Sequence, residues 1–155
     1  MAEILPDQLR LMAEAFPDEI AFTNVAATLA PGADRDLTFR EWEARSNRLA
    51  RWLAAHDVVA GDRVAIHVPP EEPDTFLVSY SAVHKAGAVA VPTSTRLVAR
   101  ELGYVLAHAG AVVAVSGRAS TPALLDASDD IPTLRPLVTT GPVDRAAARL
   151  VPWAA

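Results

Sequence analysis

The sequence predicts an α/β fold, a parallel sheet with helices on both faces. Three observations carry this. Short, almost wholly apolar runs at 63–68, 88–91 and 111–115 have the composition of strands buried on both sides. Helix-length amphipathic segments separate them. Gly87 and Gly110 stand just before the second and third runs, where a left-handed residue ends a helix. Strands and helices alternating in this way imply right-handed crossovers within one parallel sheet.

Each element has its own signal. Ile4, Leu5, Leu9, Met12 and Phe16 fall at helical spacing, and Pro17 stops that helix. A short strand is expected over 20–25, a Pro31–Gly32 turn region over 30–36, and a returning strand at Leu37–Thr38. Thr38 and Glu41 spell a capping box, in which each side chain satisfies a free backbone N–H at the helix start. Phe39, Trp42, Ser46, Leu49, Ala50 and Leu53 then share one face of a helix running to about His56, with Glu41 placed to pair with Arg45.

After the strand at 63–68, the Pro69–Pro73 loop leads to Asp74, read as an N-cap. Phe76, Leu77, Tyr80, Val83 and Ala86 form the expected buried stripe of the next helix. A strand at 88–91 closes at Pro92, and a helix over 98–108 turns Leu102, Val105 and Leu106 inward. The strand at 111–115, a short helix over 121–127 and a strand near Leu137–Val138 complete the pattern. Residues 1–140 read as one partial subdomain and 141–155 as a tail, whose Trp153 calls for a packing partner.

The 155-residue chain is long enough for one domain, which buries about two-thirds of its unfolded surface. Its net charge of −5 argues against nucleic acid as a partner, because neutralising phosphates needs basic surface. There is no cysteine, which excludes disulfides and thiolate nucleophiles. No apolar run approaches a membrane span and the first residues lack a signal-peptide pattern, so a cytoplasmic protein is expected.

Neither G-x-G-x-x-G nor G-x-x-x-x-G-K-[ST] occurs, and Lys85, the sole lysine, lies in HKAG at a helix end. No ATP-binding or catalytic residue is therefore assigned. The best local anion site is the loop Ser116-Gly117-Arg118, which follows a strand and opens a helix with Pro122 at its start. The alternative is an ordinary strand-to-helix loop with a Ser/Thr cap. His56, His67, His84 and His108 have no ligand-like spacing and read as surface or helix-terminal. Glu71, Glu72 and Asp74 read as a solvated loop rather than a metal site. Trp42 and Tyr80 read as core.

Taken in order, the segments LTFREWEARSNRLARWLAAH, GDRVAIHV, HKAGAVAVPTSTRL and ELGYVLAHAGAVVAVS resemble the opening of the adenylate-forming enzymes, the acyl-CoA synthetase and ligase superfamily. The resemblance is clear from Leu37 to Ser116. It implies an incomplete N-terminal subdomain of a fold that activates a carboxylate with ATP and magnesium and commonly passes the acyl group to coenzyme A. The family's phosphate loop and mobile catalytic domain match no residue here, so the implied cofactors are not expected on this chain alone. The segment around Thr93, Ser94 and Arg96 corresponds to a loop on the coenzyme A side in some members, with Ser94 where Asn is usual. Asp57 stands where the family usually ends a helix with Gly, and the loop at 69–72 lacks the usual Asn.

The expectation is thus an N-terminal fragment of an acyl-CoA ligase-like enzyme, without independent activity. The alternative is a non-catalytic interaction or small-molecule-binding module that keeps the scaffold. Apolar sheet surface left exposed would favour self-association or a protein partner.

Overall fold

The computed structural model describes residues 5–25, 36–128, 131–134, 137–139 and 150–152. Helix α1 (Leu5–Ala15) ends one residue before Phe16–Pro17. Strands β1 (Ile20–Thr23) and β2 (Asp36–Thr38) pair antiparallel. Ile4, Trp153, residues 30–35 and most of the 141–155 tail lie outside the described residues.

Helix α2 (Phe39–Ala55) begins at the capping box: Glu41 N donates to Thr38 Oγ1 at 3.3 Å and Thr38 N to Glu41 Oε2 at 2.9 Å. The bonds donated to Glu41 Oε2 by Thr38 N and Thr38 Oγ1 hold the Glu41 carboxyl below its ordinary pKa. Arg45 turns elsewhere, its Nη2 lying 3.1 Å from Asp74 Oδ2, so the Glu41–Arg45 pair expected from spacing does not form. The helix ends through Asp57, whose φ of 60° is left-handed, as the glycine-like position of that residue implied.

The main sheet follows: β3 (Arg63–His67), α3 (Pro73–Lys85), β4 (Val89–Pro92), α4 (Ala99–Ala109), β5 (Ala111–Ser116), a 3₁₀ turn (Arg118–Ser120), α5 (Thr121–Ser128), β6 (Leu137–Thr139) and β7 (Leu150–Pro152). Five parallel strands lie in the order β4-β3-β5-β6-β7. Strand β7 had no counterpart in the sequence reading.

The two faces have different fillings. Val64, Ile66, Val113, Val115 and Val138 bury against Leu49 and Leu53 of α2 and Val78 and Val83 of α3. On the other side Ala65, Ala111 and Ala114 meet Leu102 and Leu106 of α4 and Leu124 and Leu125 of α5. Alternation along β5 sends Val113 and Val115 to one face and Ala114 to the other, and a register shift opposite Arg63–Val64 interrupts its pairing with β3. Helices therefore cover both faces of β3 and β5. What remains accessible includes the outer strand β4, where Val89 is 49% exposed.

Two local expectations for α3 are corrected. Its N-cap is Glu72 with Pro73 at the first turn, so Asp74 lies inside the helix and pairs with Arg45. Its fully buried side is Thr75, Val78, Ser79, Ala82 and Val83, while Phe76 and Tyr80 are half-buried beside the core.

Arg63 closes the far end of α4. Its Nε donates to the Ala109 carbonyl at 2.9 Å and its Nη2 to the Gly110 carbonyl at 3.0 Å, satisfying acceptors that the last helical turn leaves free. Gly110 has φ +62°, and a Cβ there would lie 2.7 Å from Arg63 Nη2. Gly110→Ala is expected to destabilise the chain by about 1–2 kcal/mol, read as a lower urea midpoint at unchanged slope.

Candidate functional site

Parallel strands bring their carboxyl ends to one edge. In open α/β sheets ligands bind outside that edge, where successive crossovers leave in opposite directions. Here α3 leads from β3 to β4 over one face, while α5 follows β5 on the other face toward β6. The crevice beyond β3 and β5 is closed, however. Gly117 is buried there, and a Cβ on it would stand 2.3 Å from Pro69 Cδ and 2.9 Å from Glu72 Oε1. Gly117 N also donates to the His67 carbonyl at 3.2 Å.

Ligand-sized space lies to one side of this junction. A cavity of about 440 Å³ is walled by Phe22, Val68, Pro69, Phe76 and Leu77, and its polar rim is the run Thr93–Arg96. Thr93 N donates to the Ile66 carbonyl at 3.0 Å, which extends the sheet's hydrogen bonding one residue past β4. Ser94 Oγ accepts from Arg96 N at 3.2 Å, and Val98 N donates to Glu101 Oε2 at 3.3 Å where α4 starts. The loop is thus held at both ends. Ser94 and the Arg96 guanidinium are exposed at the cavity. An apolar wall with one cation on its rim suits a ligand with an uncharged body and an anionic end.

A row of polar side chains runs beneath this edge. Sheet register places His67 beside Ser116 and Ser116 beside Thr139. His67 Nδ1 lies 2.9 Å from Thr93 Oγ1; Ser116 Oγ is 2.8 Å from Thr121 Oγ1, which is 3.1 Å from Thr139 Oγ1. His67, Ser116, Thr121 and Thr139 are all fully buried. His67 is therefore neither a surface nor a helix-terminal histidine, in contrast to His56, His84 and His108. Burial holds its pKa below the ordinary imidazole value.

The two sequence-derived loops thus separate. Thr93, Ser94 and Arg96 come together at a cavity. Ser116 and Gly117 are interior, the hydroxyl committed to Thr121 and the glycine to close packing, and only Arg118 of that loop is exposed. The hydroxyls of Ser120 and Thr121 turn to carbonyls of residues 67 and 117 rather than outward.

Sequence reasoning missed the aromatic wall formed by Phe22 and Phe76, because β1 reaches the cavity from far along the chain. It also missed His67, although one polar residue in the otherwise apolar run VAIHV was a signal. Trp42 and Tyr80 are half-buried and line a second cavity, of about 330 Å³, with Leu9 and Met12 of α1. Trp42 Nε1 is engaged there by Ser81 Oγ at 3.0 Å. Among the described residues, no three His, Cys, Asp or Glu side chains are grouped to hold a metal, and no helix is long and apolar enough to cross a membrane.

The AMP-binding enzyme family matches residues 9–151 of this chain. Long-chain-fatty-acid–CoA ligase FadD13 of Mycobacterium tuberculosis is 36% identical over 101 residues, covering 65% of this chain and 20% of its own length. Feruloyl-CoA synthase of an Amycolatopsis species is 38% identical over 101 residues, with the same coverage of 65% and 20%. The chain thus spans about a fifth of the length of these curated relatives. The crystallised N-terminal domain of FACL13 from M. tuberculosis superposes with a TM-score of 0.75 at 30% identity, covering 89% of this chain and 33% of that one. The α/β fold described above is the fold of the matching third of that N-terminal domain.

Proposed function

Because the chain belongs to the AMP-binding enzyme family, we propose that it forms the N-terminal part of a carboxylate-activating enzyme of the acyl-CoA ligase type. In that role it supplies the sheet and one wall of the coenzyme A side, and it does not catalyse the reaction alone. The family uses ATP, yet these residues do not fit a triphosphate. They contain no glycine-rich phosphate loop, and the hydroxyls at the start of α5 are directed inward. No step through ATP or magnesium is assigned to them.

The observation that carries the reading is the cavity edged by Thr93–Arg96, at the carboxyl edge of a sheet whose usual crevice is shut. Thr93 anchors the loop to the sheet, Ser94 fixes its turn, and Arg96 offers a guanidinium to an anion. Coenzyme A has that form, a long uncharged arm ending in phosphates.

Pyrophosphate release from ATP and assorted carboxylic acids tests this. The chain alone is expected to release none. Joined to the remainder of FadD13 in place of the matching segment, it is expected to support release. In that chimera Arg96→Ala is expected to raise the KM for coenzyme A about tenfold, the loss of one charge-assisted contact. A soluble, cooperatively unfolding chimera that releases no pyrophosphate would overturn the proposal, as would turnover by the chain alone.

A further inference from the structure

Among the buried polar side chains of this fold, His67 has a distinctive environment. It is fully buried, its Nδ1 meets Thr93 Oγ1 at 2.9 Å, and among the described residues its Nε2 has no hydrogen-bond partner. Thr93 in turn begins the loop that carries Ser94 and Arg96, and its hydroxyl also lies 3.4 Å from the Ile66 carbonyl. A neutral imidazole tolerates this arrangement, because one nitrogen is bonded and the other is at most one unmet group. An imidazolium has two N–H donors and a full charge, and here the Nε2 donor would have no acceptor.

We propose that His67 is a proton-sensitive latch on the Thr93–Arg96 loop: the neutral ring holds the loop against the sheet, and protonation releases it. The inference rests on the reading of that loop as the coenzyme A side, and it names a regulation of the same site.

Among the described residues, nothing bonds the ring's Nε2. The segments around it contribute Glu71 and Glu72 after β3, Arg96 after β4, and Arg118 after β5. Hydroxyls come from Ser116, Ser120, Thr121 and Thr139. None of these charged groups bonds the ring, and burial is the cause that lowers its affinity for a proton. The sign follows. The folded chain binds fewer protons at His67 than an open form does, so the closed form is fully favoured above the ordinary imidazole pKa and loses ground as pH falls below it. For an opening that hydrates the ring, the open population rises about tenfold between pH 7.5 and 5.5.

Amide hydrogen exchange on the 155-residue chain tests this, with rates corrected for the intrinsic pH dependence of exchange. The amides of Thr93 and Leu97, bonded to Ile66 and Ser94, are expected to exchange about tenfold faster at pH 5.5 than at 7.5. Those of Val64 and Val113 in the sheet centre are expected not to change. In His67→Gln, which cannot take up a proton, the pH effect is expected to vanish. In Thr93→Val the loop is expected to exchange fast at both pH values. Equal loop exchange at the two pH values, a rise shared by the whole sheet, or a pH effect that persists in His67→Gln would each overturn the latch. These readings need no coenzyme A, so failure of the latch is distinct from failure of the chimera to turn over.

Discussion

Lys85→Met is expected to destabilise the chain by about 3 kcal/mol, the cost of leaving a buried ion-pair partner uncompensated. Lys85 ends α3 with its ammonium inside a nest on α2: Glu43 Oε2 at 2.6 Å, Ser46 Oγ at 2.8 Å and Asn47 Oδ1 at 2.8 Å. Its side chain is 9% exposed and that of Glu43 is 17% exposed. Burial pulls the ammonium's pKa below its usual value, and Glu43 works against that pull. These acceptors, with the Glu43 carbonyl at 3.4 Å as a fourth, satisfy all three ammonium donors and tie α2 to α3 over the valine face of the sheet. Removing the lysine leaves the Glu43 carboxylate partly buried with one partner fewer. The double change Lys85→Met with Glu43→Gln is therefore expected to recover part of the loss. Urea unfolding of the two variants measures both numbers. A single variant within 1 kcal/mol of the parent would show that the nest is solvated and of little weight.

Gly117→Ala is expected to be the most damaging one-carbon change, at about 3 kcal/mol or failure to fold. The obstacle is contact rather than backbone torsion. The added methyl would lie 2.3 Å from the ring carbon of Pro69, which cannot swing aside, and within 3.0 Å of two atoms of Glu72. Overpacking of this kind typically costs 1–3 kcal/mol when the neighbour yields and more when it does not. The strain falls where β3 and β5 exit the sheet. Pro69→Ala in the Gly117→Ala background is expected to restore stability in part, because it removes the clashing atom. No rescue would place the damage elsewhere.

The sequence revealed α2 well, because a capping box, an apolar stripe and a left-handed stop all speak about local geometry. The crossover helices were legible for a similar reason: Gly87 and Gly110 both adopt positive φ, at 71° and 62°. The inner face of α3 was misphased. Phe76, Leu77 and Tyr80 are the larger apolar groups, but the helix lies flat on the sheet through small residues. Ser79 can be buried there because its hydroxyl returns to the Thr75 carbonyl at 2.7 Å. Size marked the wrong side. Strand β7 escaped notice because three residues carry no periodicity, and its pairing with β6 is a long-range fact. At the candidate site, the loop at 93–96 was readable as a word but its cavity was not. Its walls come from β1, the loop after β3 and α3, which only the fold brings together.

The valine side and the alanine side of the sheet respond to drift in opposite directions. Where Val64, Ile66, Val113 and Val115 meet α2 and α3, trimming a side chain opens a void, and neighbours can partly collapse into it. Where Ala65, Ala111 and Ala114 lie under α4 and α5, there is nothing left to trim, and any enlargement must push a helix outward. Gly103, whose absent side chain would stand 3.2 Å from the Ala127 carbonyl, shows how little room those two helices have between them. Substitutions that accumulate in this domain should therefore be graded losses on one surface and abrupt ones on its reverse.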